Sequence, residues 1–332
     1  MESYIKRKLG GWKTPCTTES GGTTSEGAEW TEEQHAAGLV KRYTVYDRNK
    51  YEFSVMYQFN NFGFSKTDRE QNFGIFTPNY QPKKGAYSVA QYLDSVSGAV
   101  YVGAMRKGNI QFHIYWRDAK PIAVAWSDSG SEEVDLKKHD VAAKDMYGKA
   151  LECCGGRVVI GEYPVYLMNL GAEWAAQAVY AYTLEEAKDF CDYYAVMMGK
   201  NPEFHMKESY LEPNYYEEYL EEEIPGAQGY DVIRNSVMEA VSHLETAVQG
   251  GMPTAQEAKN LLDQFYSIGD RFIELYHKNE IMMPEREFSG LLFGVQNMAE
   301  NIGDLYLAAM GGADGNMEAG SCLLYTSPSP RD

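Results

Sequence analysis

The stretch Lys13-Thr14-Pro15-Cys16-Thr17-Thr18-Glu19-Ser20-Gly21-Gly22 sets one carboxylate, Glu19, among hydroxyl side chains and just ahead of two glycines. Its β-branched residues read as a short strand that ends at Glu19. A lone carboxylate there has two readings: a solvated loop group, or a nucleophile or acid–base group held at a strand end. Other reactive side chains are scattered. His35, His113, His139, His205, His243 and His277 show no metal-ligand spacing, and His35 falls inside a helical pattern as a structural residue. Cys16, Cys153, Cys154, Cys191 and Cys322 lack CxxC spacing. A bridge between the adjacent Cys153 and Cys154 would be strained and no βαβ redox context surrounds them, so they read as inert thiols. No metal and no organic cofactor are expected.

Composition narrows the partners. The 332 residues carry 48 acidic against 30 basic side chains, a net charge of −18, which repels a nucleic-acid backbone. No apolar run approaches the roughly 20 residues of a membrane span. The 26 tyrosines suit either a saccharide or peptide surface, through an apolar face with a polar tip, or an aromatic core.

These residues need elements to hold them. Glu2 to Leu9 reads as a helix stopped by Gly10-Gly11. After the Glu19 strand and a polar loop, Thr31 and Gln34 form a capping box, with Ala36, Leu39, Val40, Tyr43 and Tyr46 in helical spacing behind it. Tyr51 to Phe59 is nearly continuous in apolar residues, as a strand buried on both faces of a parallel sheet would be. A long loop leads to a helix from Lys84 to Val96. From Val100 the pattern shifts to short strands with a turn signal about every ten residues: Ile110 to Trp116, alternating after a Lys107-Gly108-Asn109 turn, then Ile122 to Trp126, Glu133 to Leu136, Val141 to Met146, Val158 to Ile160 and Val165 to Met168. That spacing predicts a small antiparallel β-sandwich.

Beyond Leu170 the chain is mainly helical. Thr183 with Glu186 and Thr254 with Glu257 form further capping boxes. Apolar stripes run through Val237, Ala240, Val241, Leu244 and Val248, through Leu261, Leu262, Phe265, Ile268, Phe272 and Ile273, and through Leu291, Val295, Met298, Ile302 and Leu305. Short Gly or Pro connections predict antiparallel helix packing. The acidic run Tyr215 to Glu223 reads as a solvated face.

A strand ending Thr-Glu-Ser-Gly, a helix opening Glu32-Glu33-Gln34, an aromatic strand, and a loop closing in FGIFTPNYQPKKGAYSVAQYL resemble, in that order, the last quarter of the retaining (β/α)8-barrel glycoside hydrolases. VAWSD, DMYGK (Asp145 to Lys149) and EYPVYL resemble the small β-sandwich that often follows such barrels. The resemblance covers residues 1–168. It implies that Glu19 is the nucleophile at the end of the seventh strand, and that Tyr57, Phe59, Asn60 and Asn61, ending the eighth, offer a sugar an aromatic platform and amides. It also lets Trp30 line a subsite, beside its use as a helix-start hydrophobic staple. Barrel strands present their C-terminal ends to the active face, and retaining hydrolysis uses two carboxyls roughly 5 Å apart. The resemblance puts the second carboxyl, the acid/base, on a fourth strand that this chain lacks.

The fold expectation is therefore α+β and multidomain. Residues 1–97 are the last two β/α units of an incomplete TIM barrel, 98–170 a small antiparallel sandwich and 171–321 an α-helical bundle. Residues 322–332, CLLYTSPSPRD, match a translated sequencing adapter and are set aside as non-native. The functional expectation is a piece of a glycosidase that cleaves β-glycosidic bonds in polysaccharide or oligosaccharide, inactive alone. The alternative is a non-catalytic carbohydrate-binding or surface-attachment protein with a helical interaction module that docks a protein partner. Family resemblance favours export.

Overall fold

The computed structural model describes residues 16–28, 30–49, 51, 53–118, 120–136, 141–153, 155–197, 227–281 and 285–314. The expected helix at Glu2 to Leu9, the acidic run at 215–223, Cys154 and the segment 322–332 lie outside the described residues. The chain divides into two units, one of residues 9–178 and one of residues 1–8 with 179–332. Residues 9–170, spanning most of the first two expected domains, fall within the 9–178 unit.

That unit opens with β1 (Cys16–Ser20), α1 (Glu32–Arg48), β2 (Phe53–Met56) and, past a 3-10 turn at Arg69–Asn72, α2 (Lys84–Val96). β1 and β2 pair in parallel, Cys16 opposite Phe53 and Thr17 opposite Ser54, with a register shift before Ser20 meets Met56. α1 begins at the expected capping box: the Gln34 amide donates to Thr31 Oγ1 over 3.2 Å and the Thr31 amide to Gln34 Oε1 over 2.9 Å. Two orphan amides at the helix start are thus satisfied. α1 and α2 lie side by side, Leu39, Ile75 and Ala86 forming a cluster on which Met56 packs. Ser88 Oγ donates to the Ala36 carbonyl, 3.1 Å away, which ties the two helices together.

β2 corrects one expectation. Its burial alternates, and Phe53 and Val55 are 49% and 48% exposed. Met56 turns to the helices while the opposite face of the two-stranded sheet carries no second layer among the described residues. Continuous apolar character therefore does not mean burial on both faces here.

The antiparallel part follows as β3 (Val100–Lys107), β4 (Ile110–Arg117), β5 (Lys120–Ser127), β6 (Glu132–Asp135), β7 (Ala142–Asp145), β8 (Ala150–Leu151), β9 (Arg157–Ile160) and β10 (Val165–Met168). β3, β4, β5, β10, β7 and β8 form one sheet in that order, and β6 pairs with β9 as a separate ribbon. Gly108, at φ +59°, makes the tight β3–β4 turn that the sequence signals. Rather than two comparable sheets, one six-stranded sheet dominates.

β4 is buried on both faces, not on one. Phe112 meets the Trp174 ring of the following helix α3 (Ala172–Met197) at 5.2 Å, and Tyr115, on the other face, bonds to both helices of the opening segment. Its hydroxyl donates 3.0 Å to Asp47 Oδ2 and lies 2.9 Å from the Tyr92 hydroxyl, which also bonds Asp47. Burial raises the Asp47 carboxyl above the usual range, and the two tyrosine hydroxyls oppose the shift. The α1–α2 layer and the sheet thus share one core.

His113 stacks on Trp126 at 4.7 Å, its Nδ1 lies 3.0 Å from the Tyr101 hydroxyl, and its Nε2 has no partner among the described residues. Burial, with a smaller contribution from Arg48, pushes its imidazole down from 6.5 to about 3. Because the unfolded imidazole binds its proton near pH 6.5 and the folded one does not, stability is fully present above that pH and drains as pH falls toward 3. Urea unfolding at pH 7 and pH 4.5 should show a loss on acidification that is smaller by about 2–3 kcal/mol in His113→Phe than in the wild type. Equal losses in the two proteins would remove His113 as a source of acid sensitivity.

The second unit contains the rest of α3 with α4 (Ala227–Val248), α5 (Ala255–His277) and α6 (Glu285–Asp314). α5 packs on α4 and on α6. The apolar stripes are buried, except that Ile273 is half-buried and Leu275 takes the inward position. Tyr276 stacks on Phe288 at 3.8 Å and Phe272 meets the same ring at 5.0 Å. The Thr254–Glu257 capping box is present. The Thr183 box is not: α3 runs straight through it, and Thr183 is fully buried with a hydroxyl that finds no partner among the described residues. Alanine-rich sequence on the N-terminal side keeps that helix going past a residue that elsewhere would cap one. Among the described residues no helix is long and apolar enough to cross a membrane.

Candidate functional site

Two loops leave the C-terminal ends of the parallel strands, residues 21–31 after β1 and 57–83 after β2. The ladder continues one step beyond β2, since the Tyr57 amide donates 2.8 Å to the Ser20 carbonyl. Gly21 makes this approach possible, because a Cβ there would lie 1.8 Å from the Tyr57 carbonyl oxygen. The Tyr57–Gln58 peptide bond is cis. Behind the strand end, Ser20 Oγ accepts 2.9 Å bonds from Arg42 Nη1 and from the Tyr46 hydroxyl, both on α1. Arg42 Nη2 also reaches the Gly21 carbonyl at 3.4 Å.

The backbone of Glu19 belongs to β1, one residue before this junction. Its side chain lies outside the described residues.

Polar bonds sew the two loops together. The Thr24 amide donates to the Asn72 carbonyl at 3.1 Å, the Glu26 amide to that of Lys66 at 2.7 Å, and Thr23 Oγ1 to that of Arg69 at 3.0 Å. Asn72 Nδ2 in turn donates to the carbonyls of Ser65 and Asp68, at 2.6 and 2.7 Å. These bonds let backbone with no regular partner stay ordered at the rim.

The residues expected to meet a sugar fall into three kinds of place. Phe59 is 56% exposed, with its ring 4.7 Å from Phe76, and Phe62 is 68% exposed. Tyr57 is half-buried, edge-on to Phe73 at 5.2 Å and to Phe62 at 6.3 Å. Asn60 is half-buried, and its Nδ2 donates to the Asn61 carbonyl at 3.2 Å. Asn61 is buried: its Oδ1 accepts from the Gly74 amide at 2.9 Å and its Nδ2 donates to Asn72 Oδ1 at 3.3 Å. Trp30, half-buried, lies over Gly22 and Gly38, where an added Cβ would come within 2.8 and 3.2 Å of its ring. That ring fills the space between the β1 loop and α1.

His35 is buried beside Gly22 and Gly85. Burial first, then the charges of Lys83 and Arg42, lower it to about 4, so it is neutral at physiological pH. The sequence by itself gives Arg42, Asn72 and Lys83 no role and Tyr46 only a place in the helical spacing. Arg42 and Tyr46 had a signal, their i,i+4 spacing on one helix face behind the Glu19 strand; Asn72 and Lys83 had none.

The site so built is a rim of exposed aromatic faces beside carboxamides, at the ends of two parallel strands. Such rims stack on apolar ring faces and hydrogen-bond to hydroxyls. Among the described residues no group of three or more His, Cys, Asp or Glu could hold a metal ion.

No family model matches the chain. No curated protein matches it either. Among solved structures it is similar to a family 39 glycoside hydrolase from the gut symbiont Bacteroides cellulosilyticus, with a TM-score of 0.44 and 17% identity over 51% of this chain and 36% of that one. It is also similar to a GH30 endoxylanase from Clostridium papyrosolvens, with a TM-score of 0.32 and 12% identity over 50% of this chain and 44% of that one. The chain thus spans less than half the length of either structure.

Proposed function

We propose that residues 16–168 come from a retaining (β/α)8-barrel glycoside hydrolase acting on β-glycosidic bonds of a polysaccharide or oligosaccharide, with Glu19 as its nucleophile. The observation that carries the reading is the parallel pairing of β1 with β2, which sets the strand end of Glu19 beside the Tyr57–Asn61 segment. Parallel strands joined through α1 are what two successive β/α units require. In this reading Phe59, backed by Phe76, and Asn60 meet the sugar directly, and Tyr57 holds Phe62 and Phe73 edge-on beside them. Asn61 serves from behind, its carboxamide already engaged, and Trp30 braces the β1 loop. The attacking carboxylate needs a second carboxyl roughly 5 Å away to protonate the leaving oxygen, and a fourth barrel strand would supply it.

Accordingly the purified chain should release no 4-nitrophenol from β-glucoside or β-xyloside above the buffer blank. Turnover that Glu19→Gln abolishes would disprove this incompleteness. The parent reading is tested on a longer reading frame containing this segment. Expressed whole, it should hydrolyse a β-glycan with retention at the anomeric carbon and fall to background in Glu19→Gln; inversion, or full activity in that variant, would refute the nucleophile.

A second reading, a carbohydrate-binding or surface-attachment protein without turnover, draws on the exposed Phe59, Phe62 and Phe64. It predicts a non-acidic residue where the longer frame ends its fourth strand, whereas the enzyme predicts Asn-Glu there. The α-helical unit would then serve as the protein-docking module.

A further inference from the structure

Lys83 is an unusual residue to find buried. It is only 7% exposed, at the N-cap position of α2, yet its side chain makes no capping bond. Its Nζ instead donates 2.7 Å to Thr24 Oγ1 and 3.4 Å to Asn61 Oδ1. Both acceptors are neutral, and an ammonium taken from water without a bonded carboxylate is costly. Burial accordingly lowers its pKa, with Glu32 opposing the shift. An apolar side chain of the same length would fill this space at less cost.

The geometry of the bonds supplies the missing gain. Thr24 stands in the loop after β1, and Asn61 stands in the loop after β2, between Asn60 and Phe62. Asn61 Oδ1 also accepts from the Gly74 amide, and the Lys83 amide itself donates 2.9 Å to the Ile75 carbonyl. One side chain therefore connects the loops from both strand ends with the start of α2, 59 residues from Thr24 and 22 from Asn61 in sequence. We infer that Lys83 is a positioning residue: it clamps the loop after β1 onto the loop after β2, so that Phe59 and Asn60 meet a saccharide in a fixed relation to the Glu19 strand end. The inference rests on the carbohydrate reading above for its ligand, and on the clamp alone for its geometry.

The test uses the whole chain in five forms: wild type, Lys83→Met, Thr24→Val, Thr24→Ser and the Lys83→Met/Thr24→Val double variant. Calorimetric titration with xylohexaose and with cellohexaose is paired with amide hydrogen exchange over residues 21–27 and 58–64. Lys83→Met and Thr24→Val should each weaken hexasaccharide binding by about tenfold or more, the scale of a lost charge-assisted hydrogen bond. Thr24→Val also removes the 3.2 Å bond from Thr24 Oγ1 to the Asn72 carbonyl, so the double variant should bind within about threefold of the weaker single variant, the Lys83–Thr24 bond being common to both substitutions. Thr24→Ser keeps the acceptor oxygen and should restore binding to within about threefold of wild type. Exchange in both loops should quicken in Lys83→Met and in Thr24→Val and stay at wild-type rates in Thr24→Ser.

Wild-type binding that Lys83→Met leaves unchanged, or losses that multiply in the double variant, would overturn the clamp and leave the carbohydrate reading standing. If wild type binds neither hexasaccharide, the carbohydrate reading fails, and exchange decides the clamp: unaltered loop protection in Lys83→Met overturns it. Should Lys83→Met not fold, Lys83→Gln takes its place in the same comparison, and hexasaccharide binding and loop exchange both unchanged from wild type are the adverse result.

Discussion

Gly21→Ala is expected to lower the stability of the 9–178 unit by about 3 kcal/mol or more, at the top of the range for overpacking. An added Cβ would sit 1.8 Å from the Tyr57 carbonyl oxygen and 2.9 Å from its carbon. Both are backbone atoms, so no rotamer change relieves the collision. The only escape is to part the strands where the Tyr57 amide meets the Ser20 carbonyl, and that also disturbs Ser20, held by Arg42 and Tyr46. Gly27→Ala is the control. Gly27 has φ +79° with open space around it, so alanine there costs only backbone strain, about 1 kcal/mol. Urea unfolding followed by tryptophan fluorescence reads both variants. Equal stability of the two would mean that β1 and β2 do not close as described, and the site would lose its frame.

Phe112→Ala is the second large effect, with an expected loss of about 3–5 kcal/mol. Phe112 is wholly buried in the middle of β4, opposite Ala125 on one neighbour and Met105 on the other, with the Trp174 ring edge-on at 5.2 Å. Removing its ring leaves a cavity that this sheet is poorly placed to close, since β3 and β5 hydrogen-bond β4 on either side. Phe112→Leu, which keeps most of the volume, should cost less than about 1.5 kcal/mol. Calorimetric unfolding of the whole chain should show the loss in the transition of the sheet unit. A Phe112→Ala cost no larger than that of Phe112→Leu would argue against a packed layer between β4 and α3.

Particular elements show why some features could be read from sequence. The α2 boundaries, the Gly108 turn and the capping boxes at Thr31 and Thr254 depend on residues at most a few positions apart, and each stands where its local pattern places it. Thr183 carries the same local pattern and fails, because helix propensity upstream outweighs a cap in an interior turn. The alternation of Ile110, Phe112, Ile114 and Trp116 in β4 predicts a core on one side only. His113 and Tyr115 are nevertheless buried, because α1 and α2 from earlier in the chain cover their face. For β2 the error ran the other way: apolar residues promised two covered faces, and Phe53 and Val55 have only one layer behind them.

The candidate site divides along the same line. It was the resemblance to the barrel hydrolases that implied one site for the Glu19 strand end, the Trp30 helix start and the Tyr57–Asn61 segment. It could not say which of those side chains remain available. Asn61 spends its carboxamide on Gly74 and Asn72, and Trp30 fills the gap between Gly22 and Gly38, whereas Phe59 keeps half its surface in solvent.

From sequence alone came the kind of most elements, the strand-end position of Glu19 and a net charge of −18, because periodicity, capping and composition act through neighbours or through simple sums. The tertiary structure alone decided which faces are covered and which polar groups are taken. Lys83 binding Thr24 and Asn61 is the sharpest instance: no local rule announces a buried lysine, since the bonds that hold it exist only once strands far apart in the chain lie parallel and bring their loops together.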